Sequence, residues 1–314
     1  MKMLFISSGY RRVYPYFEQA LCRAFAQVGV KVVGEKPCPV QRVAALKKLC
    51  ATHQVDWLFM FLGNHLPEDF RQALQARDLP PLAVWFTEDP YHIERSINVL
   101  PVVKRGFTVE EGAVKFYQKL GGNVSFLPLG YDGDTFYPQE KKQVYDVCFV
   151  GHPYPERVTL LKSLASALRI QIEVVGPWRV DQLPKKVIHR SRWLHPRDVA
   201  HCYHRAKVVL NTFRPYEKGG REIFAKSVNN RSFEIAACAG FQLSEHRPGI
   251  ARFFSKQEIE TFTDTKNCIQ AVRFYLENKK KRDEKRKKAA EEVRRAHTFF
   301  HRASHIVSQL QKVN

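Results

Sequence analysis

The chain has 314 residues, 44% hydrophobic and 26% charged, with seven cysteines and a formal net charge of +20. This is a soluble globular composition, long enough for two domains that each bury a core. The cysteines are odd in number, scattered and without a CxxC pair, which argues against a disulfide frame or a zinc site and for reduced, mostly buried thiols in a cytosolic protein. No charged-then-apolar leader and no apolar run of membrane-spanning length is expected.

In chain order, Met3–Gly9 predicts a short buried strand ending in a glycine turn, and Tyr14–Val28 a helix. Val30–Val33 is a second strand, Val40–Thr52 a helix, Trp57–Leu62 a third strand, Pro67–Ala76 a helix and Leu82–Phe86 a fourth strand. Val102–Thr108, a helix from Glu110, and Val124–Leu127 continue the alternation. Strands apolar throughout, alternating with amphipathic helices, predict a parallel sheet covered on both faces, hence a Rossmann-like domain. Leu127–Pro138 is rich in turn formers and reads as a domain boundary. After it the alternation restarts: strand Tyr145–Val150, helix Pro155–Leu168, strand Ile170–Val175, helix Arg197–Arg205 and strand Val208–Asn211. A helix–strand pair in Asn229–Leu243 and helices from about Asp264 complete a second α/β domain.

The charge is uneven. Residues 1–140 carry 16 Lys+Arg against 14 Asp+Glu, and the remainder 35 against 17. A near-neutral half joined to one of +18 suggests that the second half handles something anionic: small-ligand phosphates, a polyanionic polymer, a membrane surface or nucleic acid. Lys279–Lys288, with eight basic and two acidic residues, reads first as a solvated helix face.

Open α/β sheets place ligands at the carboxyl ends of their strands, and several candidate groups fall there. Ser7-Ser8-Gly9-Tyr10-Arg11-Arg12 follows the first strand but lacks the GxGxxG pattern of a dinucleotide site. Glu88, Asp89 and His92 follow Leu82–Phe86 and offer two carboxylates and an imidazole for general-base or sugar-binding work. The competing expectation makes Asp89 a helix N-cap and Pro90 the first helical residue. His65, after the third strand, is a weaker candidate of the same kind. Gly151 and Arg157, a glycine turn and an arginine in the next helix's first turn, suit a pyrophosphate. Asn211, Arg214 and the basic, glycine-containing loop up to Arg221 could meet phosphates as well. In Asn229–Leu243, Asn230, Arg231 and Glu234 open a short helix. A helix capped by Asn230 or Ser232, with Glu234 favouring its positive end, accounts for the stretch taken alone, and a ligand-facing Glu234 is the sharper alternative.

Two motifs and their order carry a resemblance. Leu127-Pro-Leu-Gly130-Tyr-Asp132-Gly-Asp-Thr-Phe136-Tyr-Pro138 resembles the interdomain segment of GT-B glycosyltransferases, and Asn230–Gly240 resembles their donor-site helix. With Trp85–Tyr91 and His297-Thr298-Phe-Phe-His301-Arg302, nearly the whole chain looks like the CgeB-like group of spore maturation glycosyltransferases. The resemblance implies a GT-B fold, α/β with two Rossmann-like parallel-sheet domains facing a cleft. It places an acceptor domain at 1–135, a nucleotide-sugar donor domain at 140–285, and a helix at 286–314 returning to the first domain. It implies a metal-independent transferase with no tightly bound cofactor, taking a UDP-, GDP- or dTDP-sugar to a surface or spore glycan. Glu234 matches the family's ribose-binding glutamate, and Gly151 and Arg157 its pyrophosphate region. Lys226 stands eight positions earlier, where many retaining members carry a sugar-contacting glutamate; a lysine there suits a phosphate instead.

The expected partners are a nucleotide sugar, a glycan or polyanionic cell-surface acceptor, and a membrane surface met through the basic C-terminal region. The expected location is cytoplasmic, with spore or membrane association. The rival readings are a nucleotide-sugar-binding or epimerase relative of the same fold, and a basic nucleic-acid-binding protein. Against the last, the chain carries no recognised nucleic-acid module, so no specific nucleic acid is expected.

Overall fold

The structure, a computed structural model, describes residues 1–34, 42–63, 66–184, 187–190, 193–216 and 223–313. The chain divides into two compact units. The first comprises Met1–Leu129, Tyr216–Ser227 and Phe299–Asn314, and the second Gly130–Pro215 and Val228–Thr298.

In the first unit the elements are β1 (Lys2–Ile6), α1 (Tyr14–Gln27), β2 (Lys31–Val32), α2 (Val43–His53), β3 (Trp57–Phe61), α3 (Glu68–Gln75), β4 (Leu82–Phe86), α4 (Ile93–Val99), β5 (Val103–Thr108), α5 (Val114–Lys119) and β6 (Val124–Phe126). The strands form one parallel sheet in the order β2-β1-β3-β4-β5-β6. Strand side chains alternate between faces, and the sequence supplies apolar groups to both. Met3 and Phe5 join Phe17, Leu21 and Phe25 of α1, while Leu4 and Ile6 join Leu46 of α2 and Phe70 of α3. β3 and β4 are buried along their whole length, as their unbroken apolar runs require.

In the second unit, β7 (Tyr145–Val150), α6 (Pro155–Ala167), β8 (Ile172–Val175), β9 (Ile188–Arg190), α7 (Pro196–His204) and β10 (Ala206–Asn211) are followed by α8 (Asn230–Ala237), β11 (Gln242–Glu245), β12 (Glu260–Phe262), α9 (Thr265–Glu277) and α10 (Lys279–Ala296). The parallel sheet runs β12-β11-β10-β7-β8-β9. β7 and β10 bury Val147, Phe149, Val208 and Leu210 with Leu160, Leu161 and Leu164 of α6 and Val272 of α9. The edge strands β9 and β12, three residues each, have too short a pattern to be read from sequence.

The boundaries of the units lie as follows. The division expected at 285/286 falls inside one continuous helix: α10 buries Ala289, Ala290 and Val293 and packs with α8, so it stays with the second unit. The chain joins the first unit after Thr298, where α11 (Phe299–Gln311) places Phe299, Ala303, Ile306 and Leu310 in the core beside α1. Arg302 fixes this helix by donating from Nε to the Pro128 carbonyl (2.8 Å) and from Nη2 to that of Leu129 (3.2 Å). Tyr216–Ser227 belongs to the first unit although both flanks belong to the second.

The six described cysteines are buried. Among the described residues, no helix is long and apolar enough to cross a membrane.

Candidate functional site

At the carboxyl end of β10 a polar knot starts α8. Asn229 is extended (φ −86°, ψ 168°), and its Oδ1 accepts from the Ser232 amide at 3.2 Å. Its Nδ2 donates to Asn211 Oδ1 (3.0 Å) and to the Thr212 carbonyl (3.2 Å). Asn211 Nδ2 donates in return to Asn229 Oδ1 (3.2 Å) and Ser232 Oγ (3.0 Å). These bonds satisfy buried amides and fix the direction in which the helix leaves the sheet. Asn211, expected as a ligand contact, also forms the sheet's half of the knot.

Glu234 lies one turn into α8 and is buried; Asn230 Nδ2 donates to its Oε1 at 2.7 Å. Burial pushes the Glu234 carboxyl up to about 7, restrained by the Asn230 hydrogen bond and the charge of half-buried Arg231. The Tyr203 phenol of α7 is also buried. Its hydroxyl finds no partner among the described residues, and after desolvation the nearby Glu234 is the next cause of its raised pKa. His297 stacks on Phe233 with centroids 4.9 Å apart, which gives the C-terminal motif a packing role beside this helix.

The turn after β7 is built by glycine and arginine. The Gly151 amide donates to the Val175 carbonyl (2.9 Å), and Trp178 Nε1 donates to the Gly151 carbonyl (2.8 Å). Gly176 has φ +143°, and a Cβ there would lie 2.1 Å from the Gly151 oxygen, so the two turns meet backbone to backbone. Arg157 is buried. Its Nε donates to Thr212 Oγ1 (2.8 Å), Nη2 to the Thr212 carbonyl (3.1 Å) and Nη1 to the His152 carbonyl (3.2 Å). Its guanidinium lies 4.8 Å from the Tyr154 ring centroid, and that of Arg214 6.0 Å from the same ring. Arg157, expected at a pyrophosphate, also braces the β7 and β10 turns.

In the first unit the carboxylates after β4 take different surroundings. Asp89 is buried and accepts from Thr108 Oγ1 (2.7 Å), the Tyr117 hydroxyl (2.8 Å) and Ser96 Oγ (3.1 Å). Burial pushes it up to about 7 against the pull of those three hydroxyls. It does not cap the following helix: Asp89–Pro90 is a cis peptide, and α4 begins at Ile93 with His92 at the N-cap position. The local rule fails because the Asp89 carboxyl is drawn inward by partners distant in sequence. Glu88 is half-buried and accepts from the Tyr14 hydroxyl on Oε1, and the His92 amide donates to the Glu88 carbonyl at 3.2 Å. Sequence reasoning missed Tyr14, since nothing local links positions 74 residues apart.

His65 and Arg221 lie outside the described residues, as does the Lys218–Gly220 part of the loop. Lys226 is exposed on a segment held by the first unit. Buried Glu110 accepts on Oε1 from the amides of Gly112 (2.9 Å) and Lys226 (3.0 Å), and on Oε2 from that of Ser227 (3.2 Å). The Glu111 amide donates to Ser227 Oγ at 2.9 Å, and Ile223 is buried in the core. A Cβ on Gly112 would stand 2.2 Å from the Phe224 oxygen. The sequence marks Glu110 only as a helix start, because partners more than 100 residues away leave no local signal. Among the described residues no three His, Cys, Asp or Glu side chains form a metal-holding group.

Residues 157–308 match the family model described as glycosyl transferase-like. The chain is 32% identical over 304 residues to the spore protein CgeB of Bacillus subtilis (strain 168), covering 92% of this chain and 91% of that one. Its fold is similar to sucrose-phosphate synthase from Thermosynechococcus elongatus, with TM-score 0.68, 12% identity and coverage of 100% of this chain and 99% of that one. It is also similar to Anabaena HepE in complex with UDP, with TM-score 0.66, 12% identity and coverage of 99% and 100%. T4 phage BGT in complex with its UDP-glucose substrate gives TM-score 0.62, 14% identity and coverage of 100% and 99%. The two six-stranded parallel sheets, the motif order and the relation to CgeB lead to one assignment: the chain belongs to the CgeB-like family of GT-B glycosyltransferases.

Proposed function

We propose that this glycosyltransferase takes its sugar from a nucleotide-sugar donor held by the second unit, with Glu234 accepting hydrogen bonds from the ribose hydroxyls. The observation that carries the reading is a buried carboxyl in the first turns of α8, beside the polar knot at the end of β10. A carboxylate of this kind is costly unless it is met by donors, and a diol supplies two. HepE and BGT, which share the fold, are complexed with UDP and UDP-glucose, so a uridine diphosphate sugar is the first donor to test, with GDP- and dTDP-sugars beside it. The turn at Gly151 and the helix starts of α6 and α8 offer backbone N–H groups to the pyrophosphate, with Arg231 in the first turn of α8 and Arg214, 6.0 Å from the Tyr154 ring that precedes α6, as the cations. Arg157 acts here by holding the turns in place.

For the acceptor we favour Glu88 over Asp89 as the group that takes the hydroxyl proton, because Asp89 is already saturated by three internal hydroxyls. His92 stands beside Glu88 in the chain as an alternative proton carrier. Asn230 serves Glu234 by orienting its carboxyl. The reading uses no bound metal, so turnover should persist in chelator. It places the protein in the cytoplasm with a glycan or polyanionic cell-surface acceptor, and it gives the exposed lysines of α10 a membrane or spore surface to face.

The test is a screen of UDP, GDP and dTDP for a rise in Tm, followed by slow hydrolysis of the matching nucleotide sugars. Absence of any stabilisation by all three diphosphates at millimolar concentration would overturn the donor reading.

A further inference from the structure

The loop after β1 has a construction that the donor site does not use. Buried Glu18 of α1 accepts from Ser7 Oγ (2.9 Å) and from the Ser8 amide (2.6 Å), which pins the loop to the helix behind it. Gly9 then turns at φ +72° with nothing among the described residues within 4 Å of where a side chain would start. The turn delivers Tyr10 to the surface, 42% exposed. Tyr10 is nevertheless held at both ends. Its ring lies 5.5 Å from that of Tyr14 at an interplanar angle of 47°, and Arg95 Nη1 donates to its hydroxyl at 3.4 Å.

Tyr14 in turn packs edge-on against Phe17, lies 6.0 Å from the Phe61 ring, and donates its hydroxyl to Glu88. Burial, and then the Glu88 charge, push the Tyr14 phenol up, so it remains a proton donor to that carboxylate. An exposed aromatic ring bonded by a guanidinium and packed against a tyrosine that itself bonds a carboxylate suits a ligand with an apolar face and a rim of hydroxyls. A pyranose has that form: its axial C–H bonds lie against a ring face while its equatorial hydroxyls reach polar side chains.

We infer that Tyr10 is the stacking platform for a pyranose unit of the acceptor glycan and that Tyr14 is a positioning residue holding Glu88 against it. This rests on the acceptor role given to Glu88 above. No group is transferred at the platform itself. In the transfer step the acceptor O–H proton passes to the Glu88 carboxylate, the acceptor oxygen bonds to the anomeric carbon, and the bond from that carbon to the nucleoside diphosphate breaks.

The experiment separates the platform from the donor. The full chain, with and without UDP, is applied to an array of immobilised neutral and acidic pyranose oligosaccharides, and the strongest binder is then titrated in solution. Wild type should bind; Tyr10→Ala should weaken binding about tenfold, and Tyr10→Trp should restore it. With the same oligosaccharide as acceptor, Tyr14→Phe should lower kcat while leaving the acceptor KM within about twofold. Retention of no sugar by wild type, or equal binding by wild type and Tyr10→Ala, would overturn the platform. A Tyr14→Phe change in KM alone would overturn the positioning role. Sugar binding by wild type with no nucleotide-sugar hydrolysis would instead sink the donor reading and leave the platform standing.

Discussion

Asp89 in the first unit and Glu234 in the second are both buried carboxyls near the carboxyl ends of parallel strands, and burial pushes both up to about 7. Their partners separate them. Asp89 is closed by three hydroxyls drawn from α4, β5 and α5, whereas Glu234 has one side-chain amide from its own helix and an arginine charge beside it. A buried acid whose acceptor positions are filled by the fold serves the fold. One that is under-supplied has capacity for a ligand. Depth and a shifted pKa alone would have marked the two alike.

The contrast can be broken most directly by removing each carboxyl. Asp89→Ala strands the hydroxyls of Ser96, Thr108 and Tyr117 in the core and should cost about 3–5 kcal/mol in a denaturant titration. A loss below about 1 kcal/mol would show that the network does not hold the first unit together.

Glu234→Ala should do the reverse, leaving stability close to wild type and weakening nucleoside diphosphate binding about ten- to hundredfold by calorimetry. Unchanged affinity would remove the ribose assignment. Glu110→Ala is expected to lie between the two, costing about 2–3 kcal/mol, because the amides of Gly112, Lys226 and Ser227 lose their acceptor. Limited proteolysis should then cut near residues 223–227 in the variant before it does in wild type.

The smallest effect is on pH dependence. The folded protein keeps a proton on Asp89 and Glu234 up to about 7, while the unfolded chain releases them near the ordinary carboxyl values of 3.8 and 4.5. Their contribution to stability is therefore full below those lower values and is lost as pH rises through about 7. Asp89→Asn and Glu234→Gln should each flatten part of that decline in Tm. Nucleotide affinity should move the opposite way, rising towards and just above pH 7 as Glu234 ionises, and Glu234→Gln should remove this rise. A wild-type affinity that is flat from pH 5.5 to about 8 would contradict a ligand-accepting Glu234 carboxylate.

By itself the sequence determined the two parallel sheets, the order of their main elements and the family. Unbroken apolar strands alternating with amphipathic helices have few other solutions, and Leu127–Pro138 and Asn230–Gly240 keep their spacing. It also placed Glu234 in the first turns of a short helix, because capping chemistry is local, although the cap is Asn229 and not the expected Asn230 or Ser232. Tertiary structure decided what each polar group does. Arg157 became a brace through Thr212, 55 residues away; Asp89 turned from an expected cap into a core acid through Tyr117; and Glu110 captured Lys226 and Ser227 from across the sequence. A side chain's local propensity says which backbone it favours. Whether its hydrogen-bonding capacity is spent inside or left for a ligand depends on which distant groups the fold brings within about 3 Å, and that is not written in any short stretch of chain.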